Sequence, residues 1–243
     1  MINTFYHIRE SSDNMNNIEQ NNPADLADFL ARLRTGMERD KWVIVTFAVI
    51  GLTNFGEHPV QSTRLAQILG GSVGEAEALA QQWGFPGTRV EDGLISIDPE
   101  RAKATPRRQV RIGHRQFGVT GCAPDVFGYA PLVRPSLQLE ETCPTTGTPI
   151  RLEFTSDCVV RVEPASTVLP LSLQLRDQIE GLSIEDIDAN VCVQAPFFSS
   201  AEAAQGWLAA FPDGRVFPVR EAWDLSPLRE YRERLLALLN LDH

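Results

Sequence analysis

The stretch IRLEFTSDCVVRVEP, residues 150–164, decides how the second half of this 243-residue chain is built. Ile150, Leu152 and Phe154 alternate with Arg151 and Glu153, and Val160 and Val162 alternate with Arg161 and Glu163. A repeat of two places successive side chains on opposite faces of a strand, so each piece reads as a half-buried strand. The break at Ser156-Asp157 is the punctuation of a turn between antiparallel neighbours. The same pattern recurs in QVRI (109–112), SLQLEE (136–141) and NVCVQAPFF (190–198), with the Pro/Thr/Gly turn CPTTGTP at 143–149 between two of the strands.

Helical signals surround this strand-rich region. Ser199 followed by Glu202 has the spacing of a capping box, which predicts a helix over about 200–210. LREYRERLLALLN (228–240) predicts a closing helix with Leu228, Leu235, Leu236 and Leu239 as its buried stripe. Upstream of the basic joint ATPRRQVRIGHRQ (104–116), the periodicity is helical: Leu26, Phe29, Leu30 and Leu33 share one face, and WVIVTFAVIGL (42–52) is a second apolar segment. Leu65, Ile68 and Leu69 form one short amphipathic face, and Ala76, Leu79, Ala80 and Trp83 form another. TRVEDGLISID (88–98) then places an Asp-Gly turn between two extended pieces. Two short helices followed by a hairpin suggest a winged helix. The sequence therefore predicts an α+β chain with three parts: a polar arm at 1–23, a winged-helix-like helical domain at 24–105, and a domain of short antiparallel strands flanked by helices at 106–243.

Composition narrows the function. A formal charge of −10 and a pI near 4.9 disfavour binding to nucleic acid or anionic membrane, both of which select basic surfaces. The second helix of the pair, GSVGEAEALAQQWG, offers two glutamates and no cation to read a base edge. No run reaches the roughly 20 apolar residues that span a bilayer. The polar N-terminus shows no signal-peptide core, so a cytoplasmic location with reduced thiols is expected. Cys122, Cys143, Cys158 and Cys192 are accordingly expected to be free, and the absence of any C-x-x-C pair argues against structural zinc.

GVTGCAPDVFGYAP (118–131) is the stretch where chemistry could reside. Pro124 suits the first turn of a helix, which would put Cys122 at its N-terminus, with Asp125 three residues on and within side-chain reach. A thiol so placed could be a nucleophile or a soft-metal ligand beside a proton carrier, or an inert small hydrophobe preceding an ordinary N-terminal carboxylate. Local sequence leaves both readings open. Cys192 in its apolar run reads as core, Cys143 and Cys158 read as structural, and His58 and His114 stand isolated from other metal-ligating residues. No G-x-S-x-G, P-loop or G-x-G-x-x-G is present.

GCAPD, TCPTTGTPI, VVRVEPAS, NVCVQAPFFSSAEAAQGWLAA and VFPVREAWDL, in this order and spacing, resemble the organomercurial (alkylmercury) lyases of bacterial mercury resistance over about residues 105–225. The resemblance implies that Cys122 and Cys192 bind mercury, that Asp125 carries the proton, and that Cys143 is structural. It implies protonolysis of the carbon–mercury bond, without an organic cofactor or zinc, and release of Hg(II) to cellular thiols or a mercuric reductase. Gly121, Pro124 and Val193 stand where the family commonly carries an aromatic residue, a larger apolar residue and a second cysteine, and these changes are expected to reshape the pocket rather than the chemistry. Two other readings compete: a winged-helix regulator that senses metals or thiol-reactive compounds, and a lyase-fold protein that binds metal without cleaving it from carbon.

Overall fold

The structure is a computed structural model, and it describes residues 23–35, 45, 48–53, 55–83, 88–97, 108–119, 121–132, 136–178, 186–226 and 233. The expected polar arm up to residue 22, the joint near residue 105 and all but residue 233 of the expected closing helix lie outside the described residues. The chain mixes helices with antiparallel sheets, as the alternating and helical periods require.

In the N-terminal half, the helix Pro23–Thr35 buries Phe29 and Leu30, and residues 48–53 are helical. Strand β1 (Val60–Gln61) leads into the helices Ser62–Leu69 and Val73–Trp83, which bury Leu65, Ile68, Ala76 and Ala80, the faces the periodicity marks. Gly70 ends the first of them in the left-handed region, at φ 65°, which glycine adopts without steric cost. Ser72 and Glu75 cap the second reciprocally: the Ser72 amide donates to Glu75 Oε2 at 2.8 Å, and the Glu75 amide to Ser72 Oγ at 3.3 Å. Strands β2 (Arg89–Glu91) and β3 (Leu94–Ser96) join through Asp92-Gly93, both at positive φ, and β1 completes a three-stranded sheet in the order β1-β3-β2.

The C-terminal half is built on a five-stranded antiparallel sheet in the order β5-β4-β6-β7-β8. Its strands are β4 (Arg108–Ile112), β5 (Arg115–Val119), β6 (Leu137–Thr142), β7 (Pro149–Phe154) and β8 (Val159–Glu163). The quoted stretch is the β7–β8 hairpin, with Leu152 opposite Val162 and a register irregularity at Glu153/Phe154. A two-stranded sheet, β9 (Val168–Leu171) with β10 (Arg215–Pro218), lies beside it. Pro170 is tolerated there because a two-stranded ribbon has only edges. Over the large sheet runs a helical segment from Ala123 to Leu132. Phe127 of that segment packs at a tilt against Phe154 of the sheet at 5.8 Å and edge-on against Trp223 of the helix Val219–Leu225 at 5.4 Å. Burying one such ring is worth about 1.5–3 kcal/mol against about 1 kcal/mol for a hydrogen bond, so aromatic packing fixes where the segment sits and polar contacts fix its register. From the other side Phe55 meets Tyr129 edge-on at 6.0 Å. The N-terminal half thus packs directly on the segment that carries Cys122 and Asp125.

Two expectations need correction. NVCVQAPFF is not a strand: Ile187–Val191 forms a π-helical turn and Cys192–Gln194 a 3-10 turn, and Phe198 makes an isolated bridge to Val168. A short apolar run does not distinguish a strand from buried helical turns, and here Val193 points outward while Val191, Cys192 and Ala195 point in. The predicted helix at 200–210 begins later, as Gln205–Ala210, after turns over 201–204. Ser199 is drawn away by the Thr146 hydroxyl at 3.1 Å, and Ser200 Oγ accepts from the Ala203 amide instead, at 3.2 Å.

Trp207 of that helix donates its indole N–H to the Gln194 carbonyl at 2.6 Å, which ties it to the Cys192 turn. A methyl group at Gly214 would lie 2.5 Å from the Trp207 ring and 2.8 Å from the Phe211 carbonyl oxygen, and neither can retreat freely. Gly214→Ala is therefore expected to lower unfolding free energy by about 1–3 kcal/mol in chemical denaturation.

Candidate active site

Cys122 precedes the helical segment in extended conformation, at φ −75° and ψ 155°, and Pro124 stands within the first turn, where its fixed φ suits the helix. The turn folds Asp125 back: its amide donates to the Cys122 carbonyl at 3.2 Å, and its Oδ2 accepts from the Cys122 amide at 2.8 Å. The carboxylate is thereby anchored beside the sulfur, as the three-residue spacing suggests. Gly121 makes room for it. Its φ is +100°, and a Cβ there would stand 2.6 Å from Asp125 Oδ2. Glycine at 121 thus suits the backbone conformation and leaves the carboxylate where it lies.

Cys192 arrives from the other side. The Ala123 amide donates to the Ala195 carbonyl at 2.8 Å, joining the two cysteine-bearing segments directly. The Cys122 and Cys192 sulfurs lie in bonding contact as a disulfide, with Cα atoms 4.2 Å apart and 70 residues of sequence between them. Free thiols were expected for this pair. The expectation rested on redox compartment, and the structure differs from it because the fold aims both sulfurs at one point, close enough to pair. Cys143 and Cys158 are free, as expected. The sulfurs of Cys122 and Cys192 and a carboxylate oxygen of Asp125 all lie within 4.8 Å of one another, Cys192 buried and the other two half-buried. Two soft donors and one hard oxygen form a donor set that favours a soft, thiophilic metal.

Sequence reasoning missed the polar frame behind the site. Arg108 Nε lies 2.5 Å from Glu141 Oε2, with side chains 3% and 5% exposed. The contact is an ion pair rather than an aligned hydrogen bond, since the Nε–H points off the carboxylate. Arg108 also donates through Nη1 to the Gly121 carbonyl at 2.5 Å, and Glu141 Oε1 accepts from the Phe197 amide at 2.8 Å. Burial pushes the Glu141 carboxyl up, against the opposing pull of Arg108 and the Phe197 amide. The signal was present: Arg108 shares the phase of Val110 and Ile112, and Glu141 that of Leu137 and Leu139, so each is a charge at an inward position.

Cys143, buried in the CPTTG turn, is not part of the Cys122, Asp125 and Cys192 cluster. Burial raises its thiol pKa, but hydrogen bonds from the hydroxyls and backbone of Ser199 and Thr146 outweigh that and hold it at about 7. Cys158 is exposed beside Thr155, and His58 and His114 are exposed, as their isolation in sequence suggests. Val193 is 47% exposed next to Cys192.

Residues 103–228, just over half of the chain, match the family described as MerB: Alkylmercury lyase. The chain belongs to the alkylmercury lyase family. It is 34% identical over 176 residues to an alkylmercury lyase of Bacillus cereus, covering 68% of this chain and 77% of that protein. Against the alkylmercury lyase of Pseudomonas putida it is 29% identical over 191 residues, 71% of this chain and 86% of that one. A solved structure, the mercury-bound form of MerB2, shares the fold with a TM-score of 0.50 at 19% identity, over 87% of this chain and 99% of that one. As a member of this family, the protein is an enzyme that cleaves carbon–mercury bonds.

Gly121→Ala is expected to lower the cleavage rate roughly 10–100-fold by displacing Asp125, while Hg(II) binding by the two sulfurs is retained. Cys143 gives a pH prediction. Its folded pKa of about 7 lies below the ordinary 9.0. The thiolate therefore adds stability that is fully present above pH 9 and lost as pH falls through 7. The difference in unfolding free energy between the parent and Cys143→Ala should thus widen by on the order of 2–3 kcal/mol from pH 6.5 to pH 9.

Proposed function

We propose that the reduced Cys122/Cys192 pair and Asp125 carry out the protonolysis, and the observation that carries the reading is the convergence of their three ligand atoms within 4.8 Å. One thiolate captures R–Hg⁺. The second thiol passes its proton to the Asp125 carboxylate as its sulfur coordinates the metal. Two thiolates raise electron density at mercury and weaken its bond to carbon, and the carboxylic acid then delivers the same proton to that carbon. The Hg–C bonding pair becomes the new C–H bond, R–H departs, and Hg(II) stays bound by both sulfurs. Asp125 acts as general base and then general acid, a role that needs it within reach of both the thiol and the carbon. The cycle draws on no organic cofactor and no zinc. Excess cellular thiol, or a mercuric reductase, would remove Hg(II), and thiol would also keep the pair reduced.

Three further features support the rest of the reading. The helices Ser62–Leu69 and Val73–Trp83 with the β1-β3-β2 sheet support a winged-helix-like unit over about 24–105, distinct from a catalytic unit at 106–243. Its exposed helical residues include Glu75 and no arginine or lysine on Val73–Trp83, which supports a structural role over nucleic-acid binding. Among the described residues no helix is long and apolar enough to cross a membrane, and with the acidic charge this supports a cytoplasmic enzyme acting on small organomercurials.

Incubation with phenylmercuric acetate and excess thiol is expected to release benzene above the thiol-only rate. Its absence, with the substrate intact and a specific DNA duplex bound, would establish the regulator reading instead. Cys122→Ser and Cys192→Ser should each reduce release to the thiol-only background. Asp125→Asn should still bind mercury but turn over about 10²–10⁴-fold more slowly, as loss of a general acid requires.

A further inference from the structure

We propose that the buried Arg108–Glu141 pair is a positioning device for the two sulfurs, setting their effective concentration toward each other and toward a shared metal. The inference rests on the reading of Cys122 and Cys192 as a working dithiol. A buried ion pair is seldom a net gain over apolar residues of similar volume, because desolvation of both charges consumes the attraction between them. Bulk stability therefore does not account for charges at two inward positions whose neighbours in phase, Val110 and Leu139, are apolar core. Geometry does. Arg108 lies on β4 and Glu141 on β6, one step beyond the paired residues Gln109 and Glu140, so they face each other across adjacent strands. From that anchorage each reaches one of the two segments that carry the cysteines. Arg108 Nη1 holds the carbonyl of Gly121, the residue before Cys122, and Glu141 Oε1 holds the amide of Phe197, five residues after Cys192.

The two grips and the Ala123–Ala195 hydrogen bond close a ring through the sheet, so a shift of either segment must break a contact to a buried charge. Such contacts are costly to lose, since the group left behind stays buried and unpaired. The pair thus converts sheet rigidity into sulfur placement. Neither residue touches the reacting atoms in this scheme, and both are positioning residues.

The test reads the thiols without any organomercurial, so failure of the lyase reading and failure of this one are distinguishable. Glutathione disulfide oxidises the dithiol to the Cys122–Cys192 disulfide with release of two glutathione thiols, and the equilibrium constant of that exchange measures the effective concentration of the pair. Arg108→Met and Glu141→Leu should each lower it at least about tenfold, equivalent to roughly 30 mV for a two-electron couple. The double variant should lower it no further than the worse single one, because the two residues act as a unit. Ile95→Val, a buried change in the separate β1-β3-β2 sheet, should reduce stability by about 0.5–1.5 kcal/mol and leave the exchange constant unchanged. Should the apolar variants not fold, Arg108→Lys decides: it keeps the charge but loses the guanidinium fork that serves two acceptors, and a loss of about threefold is expected. An exchange constant equal to the parent's in whichever of these variants fold overturns the proposal, as does an equal loss in Ile95→Val.

Discussion

Chemistry at this site depends on two chain segments, distant in sequence, lying edge to edge so that each offers one sulfur to the same point. The Ala123–Ala195 hydrogen bond is the direct contact between them. Each segment is also pinned separately to the scaffold. The Cys122 segment is clamped by Phe127 against Phe154 and Trp223 on one side and by Tyr129 against Phe55 on the other. The Cys192 segment is held by the Trp207 indole and by the Phe198–Val168 bridge. Apolar packing supplies the energy of this arrangement, while a handful of directional bonds supplies its accuracy.

That division of labour places acid and thiol chemistry in one partly covered spot. Asp125 belongs to the same tight turn as Cys122, so the carboxylate and one sulfur move as a unit, whereas the second sulfur is contributed across the interface between segments. A backbone amide anchors the carboxylate, and its position depends on the missing side chain at Gly121. A side chain at position 121 would therefore change more than pocket volume, because it would also displace the carboxylate.

Much of the architecture was legible in the sequence. Period-two runs located β4, β6, β7 and β8, and Asp92-Gly93 located the hairpin of the small sheet, because alternation and turn chemistry are local properties. The C-x-x-D turn was legible for the same reason, with Pro124 marking its first turn. Cys192 was placed in a strand, since NVCVQAPFF has apolar content but no decisive period, and its π and 3-10 turns are imposed by packing against residues far away in sequence. The family resemblance, not the local pattern, paired it with Cys122. Ser199 misled because a hydroxyl near a helix start has other partners to choose from, and Thr146, 53 residues earlier, won. Arg108 and Glu141 share the inward phase of their apolar neighbours, but a charge in that phase acquires meaning only once the register sets it opposite its partner.

The 70-residue separation of Cys122 and Cys192 has a topological consequence. Any bridge between the two sulfurs, whether direct or through a bound metal, turns that stretch into a closed loop and withdraws conformations from the unfolded ensemble. In the chain-entropy picture a loop of this length is worth about 4 kcal/mol. Metal held by both thiolates would consequently tie the β6–β9 region into a covalent circle, and the protein that has just finished its reaction would be harder to unfold than the protein ready to begin. Product release and global stability are then opposite sides of one equilibrium: a small thiol that extracts the metal also unties the knot in the chain's accessible conformations.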